Sequence, residues 1–140
     1  MIDISTDKSR LQLDRIHAWL ANTYWSPGIA RDLVERAIAG STCVGAYRDG
    51  VQIGFARAIT DGATFAWVAD VFVDEAARGQ GIGRAMVAHL TGLPELAGLR
   101  RWMLVTRDAH GVYAPLGFAP INDVADYMIH RPGAVRETAA

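Results

Sequence analysis

The chain has 140 residues, 51% apolar and 21% charged, the proportions of a globular protein that buries a core of its own. Fourteen basic against fifteen acidic residues leave a net charge of −1, which argues against a general nucleic-acid binder. A single cysteine, Cys43, excludes an intrachain disulfide and a Cys-rich zinc site. No apolar run approaches the roughly 18 residues of a membrane helix. The start, Met1-Ile2-Asp3-Ile4, carries no basic-then-apolar secretory signal. A cytoplasmic protein without a membrane partner is expected, one domain over 1–140 with about 133–140 as a loose tail. The charge is uneven: residues 76–107 hold five arginines (Arg78, Arg84, Arg100, Arg101, Arg107) and one acid, Glu95. An anion, if the chain handles one, belongs there.

In chain order, Leu13, Ile16 and Leu20 recur at helical spacing and predict a helix over 7–20. Ser26-Pro27-Gly28 breaks the chain, and a second helix fits 29–39, ended by Gly40. Two strands follow, 42–47 and 51–60, joined by Arg48-Asp49-Gly50, whose Asp-Gly is a hairpin signal. Asp61-Gly62 repeats that signal before a strand over 64–73. Period-two alternation puts Phe65, Trp67, Ala69, Val71 and Val73 on one face and Asp70 on the other. Ile82, Met86 and Leu90 predict a helix that Gly92 and Pro94 end. A strand over 101–106 follows, then a short helix over 109–116 with Asp108 as N-cap and Gly117 just past its end. Phe118 onward and 126–130 read as two last strands. The order predicts an α+β fold, a mostly antiparallel sheet with helices packed on it.

Arg78-Gly79-Gln80-Gly81-Ile82-Gly83 joins a predicted strand to a predicted helix. Glycines let backbone approach a ligand closely, and the first N–H groups of a helix attract an anion. Arg78 and Arg84 add charge-assisted donors. The segment lacks the Gly-Lys-Ser/Thr of a Walker loop. Both registers of a dinucleotide fingerprint fail, at Arg84 and at Met86. No metal site is expected, because His17, His89, His110 and His130 form no ligand grouping.

A second informative stretch runs from Thr106 to Phe118, where Tyr113 sits on the short helix. Taken together, Asp70-Val71-Phe72-Val73, then Arg78, Gly81 and Gly83, then Tyr113, Gly117 and Phe118 resemble the GCN5-related N-acetyltransferase (GNAT) superfamily over about residues 3–131. The resemblance implies a GNAT fold with one parallel strand pair, 64–73 and 101–106, splayed around acetyl-CoA as co-substrate. It implies that backbone from Gly79, Gln80, Gly81, Ile82, Gly83 and Arg84 binds the diphosphate. Backbone around Phe72 and Val73 pairs with the pantetheine arm and offers an oxyanion donor. Tyr113 protonates the departing thiolate, and the acceptor amine attacks directly, so Cys43 need not act. Asp108 stands where the family often has an asparagine on the pantetheine arm.

Among the residues themselves, Asp70 is the first candidate base for an ammonium acceptor, or a structural acceptor of hydrogen bonds. Asp61 is a second candidate, or a turn residue. Tyr24, Trp25 and Trp67 are candidates for an aromatic acceptor wall. The expected function is acetyl-CoA-dependent N-acetylation of a small-molecule primary amine. Acetylation of protein lysines or N-termini stays open, as does an acetyl-CoA-binding module without turnover. The resemblance also allows a homodimer.

Overall fold

The computed structural model describes residues 1–133, so the expected tail lies beyond them except for Gly133. Five strands form one sheet in the order β1-β2-β3-β4-β5. They are β1 (Asp3–Ser5), β2 (Thr42–Arg48), β3 (Val51–Thr60), β4 (Phe65–Val73) and β5 (Arg101–Met103). Neighbours are antiparallel except β4 and β5, which are parallel. Helices α1 (Leu13–Ala21), α2 (Arg31–Ala39), α3 (Ile82–Thr91) and α4 (His110–Tyr113) cover the sheet. This is the expected α+β arrangement. None of the described helices is long and apolar enough to cross a membrane.

The amphipathic stripes decide the layers. Ile82, Met86 and Leu90 of α3 pack on Val44, Ala46, Ala56, Ala58 and Ala66 of the sheet. On the opposite face Ile16 and Leu20 of α1 and Val34 of α2 enclose Cys43 and Phe55. Small residues fill the sheet where helices cross it closely: a Cβ on Gly54 would lie 2.9 Å from the Met86 methyl carbon.

The simple alternation expected along β4 is wrong. Arg57 pairs with Ala69 and Phe55 with Phe72, so Asp70 and Val71 together oppose Ala56. This is a β-bulge, and Asp70 takes φ +55°, a left-handed value that Asp tolerates better than most residues. The inserted residue exchanges the faces. Ala66 and Val68 point at the α3 side, and after the bulge so do Val71 and Val73.

Other boundaries also shift. The helix expected over 7–20 begins as a 3-10 turn, Lys8–Arg10, that Asp7 caps, and α1 starts only at Leu13. The three-residue β1 carries too short a pattern to announce itself. The strand expected over 101–106 ends at Met103. Asp108 does not cap α4. The Ala109 N–H bonds the Thr106 hydroxyl instead, at 3.0 Å. The two strands expected after Phe118 are absent. That segment is mostly exposed and has only a 3-10 turn, Val124–Asp126. Phe118, Ala119, Pro120 and Ile121 share a cavity with Trp102 and Met103 of β5 instead of pairing with that edge strand, and Pro120 lacks a ladder donor.

Candidate active site

β4 and β5 pair only over Phe65–Trp67 and Arg101–Met103. Beyond Met103 the chain turns away, so from Val68 onward β4 loses its neighbour on that side. A parallel pair that opens this way leaves backbone donors and acceptors facing a cleft. A cavity of roughly 400 Å³ sits in the opening. Trp67, Val68, Ala69, Asp70 and Val71 form one wall, and Leu104, Val105, Thr106, Asp108 and Tyr113 form the other. Tyr24 and Trp25, from the segment between α1 and α2, complete it.

The bulge decides what Asp70 can touch. Its Oδ2 accepts from Arg57 Nε at 2.7 Å, with both side chains largely buried. Its Oδ1 accepts from the Trp25 indole Nε1 at 2.9 Å. Arg57 continues to the Ser41 hydroxyl at 2.8 Å. Asp70 therefore fastens the Trp25 segment to the sheet while lining the cavity. The other wall holds the same segment through Arg107, whose guanidinium carbon stacks 3.7 Å from the Tyr24 ring centre. Arg57 and Arg107 were not among the sequence candidates. Only register and the loop's path bring them here, although the lone Asp70 in an apolar strand already called for a partner.

The glycine turn follows β4 at its C-terminal end. Gly81 caps α3 at φ +77°, a conformation that costs a side-chain-bearing residue about 1–2 kcal/mol. Gly79 is also left-handed, at φ +81°. No backbone N–H from Gly79 to Arg84 bonds within the described residues, and the first turn of α3 holds no acid. These donors and the helix dipole form a cradle for an anion. The turn fits acetyl-CoA in this respect, and the open edge of β4 leads into it. Arg78 folds back: its Nε donates to the Val73 carbonyl at 2.9 Å, and its guanidinium lies over Phe72. Phe72 stacks on Trp19 of α1, with ring centres 5.3 Å apart.

Tyr113 is buried between the cleft cavity and a second cavity of roughly 300 Å³ lined by Trp102, Phe118 and Ile121. Burial pushes its phenol above the usual tyrosine range, and Tyr24 adds to the rise. It therefore keeps its proton at neutral pH. His110 faces the second cavity only. Cys43 lies in the core, where burial pushes its thiol up to about 11 and keeps it inert.

The structure thus gathers Tyr24, Trp25, Trp67, Asp70, Asp108 and Tyr113 at one cavity. Phe72, Val73, Arg78, Gly79, Gln80, Gly81, Ile82, Gly83 and Arg84 gather at the end of β4 and the start of α3. Asp61 stands apart. Its carboxylate accepts from the N–H groups of Ala63 and Thr64 at 2.9 and 2.8 Å and from the Thr64 hydroxyl at 2.7 Å. These bonds hold its carboxyl well below the usual range and tie it to the β3–β4 turn.

Residues 39–120 match the model of the acetyltransferase (GNAT) domain family. A Gibberella zeae protein assigned by name to the acetyltransferases is 31% identical, over 94% of this chain and 90% of its own length. A Xanthomonas campestris pv. campestris structure assigned to the GNAT family is 43% identical, covers 94% of this chain and 93% of its own, and superposes with a TM-score of 0.89. A Clostridium acetobutylicum acetyltransferase solved with acetyl-CoA shares the fold at 13% identity and a TM-score of 0.61, over 92% of this chain and 100% of its own. The splayed strand pair, the glycine turn and these matches agree: the chain belongs to the GNAT acetyltransferase family.

Proposed function

We propose that this chain moves an acetyl group from acetyl-CoA directly to a primary amine of a small molecule. The observation that carries the reading is the cleft itself. The unpaired edge of β4 runs from Tyr113 and the aromatic cavity into the donor-lined glycine turn. Bound acetyl-CoA supplies a thioester carbonyl and a thiol of pKa about 8.5 as leaving group. Backbone N–H groups from Gln80 to Arg84 hold the diphosphate, helped by Arg78. The Phe72 and Val73 backbone holds the pantetheine arm. Tyr113 keeps a proton ready for the departing sulfur, and no enzyme nucleophile is needed.

For the acceptor, Tyr24, Trp25 and Trp67 offer aromatic faces beside the carboxylates of Asp70 and Asp108. That combination suits an ammonium on an apolar body. The cavity volume and the segment across it support a small acceptor over a folded protein. An ammonium must lose a proton before its nitrogen attacks. Asp70 is the group assigned to that end of the cavity, fixed in place by Arg57 and Trp25. Asp61 is assigned to the turn, and Asp108 to the cavity wall where acceptor and pantetheine meet.

A panel of primary amines with acetyl-CoA, read by release of free CoA thiol, tests the proposal. Release with an apolar-bodied amine, reduced in Tyr113→Phe, is the expected result. CoA binding without turnover on any amine would instead favour a binding module.

A further inference from the structure

We infer that Arg48 is a positioning residue for the acetyl-CoA diphosphate, holding the glycine turn through Gln80 and adding charge from outside the turn's own sequence. In the sequence Arg48 is only the residue before an Asp-Gly hairpin turn. In the fold it is the last residue of β2, and its Nη2 donates to Gln80 Oε1 at 2.7 Å. The sheet explains the reach. Gly54 of β3 pairs with Val73 at the end of β4, and the hairpin continues past that rung to Arg48 and Val51. The hairpin therefore overhangs the point where the glycine turn begins.

The electrostatics give this contact its direction. A guanidinium offers five donors, and an amide oxygen occupies one of them without neutralising the charge. No carboxylate lies within ion-pair distance of Arg48 among the described residues. A cation beside a helix N-terminus meets the positive end of the dipole, an unfavourable placement on its own. An anion at the free N–H groups reverses that sign, because dipole and guanidinium then attract the same charge. Arg78 is likewise bound to one neutral oxygen, the Val73 carbonyl, so the two guanidiniums add their charge at the turn from different elements. Arg48 thus supplies the cradle with positive charge while holding Gln80, whose own N–H belongs to it.

The inference rests on the acetyl-CoA reading above, and the test separates the two. CoA and dephospho-CoA, which lacks the 3′-phosphate, are titrated calorimetrically into the full chain and into Arg48→Gln and Arg48→Lys. Arg48→Gln is expected to bind both ligands roughly tenfold more weakly, the scale of one charge-assisted hydrogen bond. The loss shrinks as salt is raised. Arg48→Lys recovers part of it, keeping the charge without the planar fork. The thermal midpoint without ligand stays that of the parent chain. Equal affinity of Arg48→Gln and the parent overturns the inference. So does a loss confined to CoA, which would move the charge to the 3′-phosphate. A parent chain that does not bind CoA overturns the acetyl-CoA reading itself, and this inference with it.

Discussion

Tyr113 and Asp70 face one cavity, yet they carry different physical loads. Tyr113 is buried against Val68, Val87 and Phe118, and its phenol sits above the usual tyrosine pKa because burial penalises the phenolate. An acid with a raised pKa stays protonated through neutral pH and ionises only above the ordinary tyrosine range. Tyr113→Phe keeps the packing and removes the proton. Turnover is expected to fall about 10- to 100-fold, the lower range for a positioned acid because a thiolate leaves easily. CoA affinity should stay nearly unchanged. Between pH 7 and 9 the ratio of parent to variant kcat should be constant, and a falling ratio in that window would contradict this role. Asp70 carries an ion pair as well as a place at the cavity. Asp70→Asn can still accept from the Trp25 indole but leaves the largely buried Arg57 without its carboxylate. Denaturant unfolding should show a loss of about 2 kcal/mol, the scale for a hydrogen bond between charged groups. Asp70→Asn should also lose turnover beyond what that instability explains. Full turnover in folded variant would leave Asp70 a structural role alone.

At the scale of elements, the β4 bulge and the glycine turn are two departures from regular backbone at either end of one short stretch. The bulge turns Val71 and Val73 to the α3 side and brings Asp70 to Arg57 and Trp25. Without the extra residue the alternation would run unbroken and exchange those faces. The glycine turn shows which of its residues backbone geometry requires. Nothing lies within 4 Å of a Cβ built on Gly81, so Gly81→Ala meets no clash and costs only its φ of +77°. That cost is about 1–2 kcal/mol and falls on the cradle itself. Gly83 is different: its φ is not left-handed, and its Cβ would meet Val73 Cγ2 at 3.7 Å, an ordinary contact. Gly83→Ala inside a helix is expected to be neutral or stabilising by about 0.5–1 kcal/mol. Thermal unfolding of the two variants should move in opposite directions, and CoA affinity should fall only for Gly81→Ala. A Gly83→Ala variant as damaged as Gly81→Ala would mean that close helix approach, not backbone sign, governs the turn.

Across the molecule, what the sequence made legible was local. The hairpins carried Asp-Gly, α3 carried its stripe, and the anion turn carried its glycines, each within a few residues. The parallel, splayed pair followed from the family resemblance, and the strand order only from the structure. The contacts that build the cavity and hold the glycine turn were not legible, because Trp25 to Asp70 spans 45 residues and Arg48 to Gln80 spans 32. Such pairs depend on register, which a single bulge shifts, and one sequence does not state it. The missing final strands have the same origin: β5 offers an outer edge, yet the residues after Phe118 line a cavity beside it instead of pairing, which a local apolar run does not reveal. Charge shows the limit most clearly. Five arginines crowd 76–107, yet the fold divides them. Arg78 and Arg84 lie at the turn after Val73. Arg101 pairs in register with Phe65 at the other end of β4, roughly 26 Å away at about 3.3 Å per residue. Several Debye lengths of about 8 Å separate the two groups at physiological salt, so Arg100 and Arg101 exert little pull on an anion at the turn. Replacing both with glutamine is therefore expected to leave CoA affinity unchanged within a factor of about two. Arg84→Gln, one substitution at the helix start, should weaken it several-fold, with a shallower salt dependence than the parent. Calorimetric titration at two ionic strengths distinguishes them. Equal losses in the two variants would place the arginine-rich stretch, as a block, against the ligand and would contradict the division that the parallel register of β4 and β5 imposes.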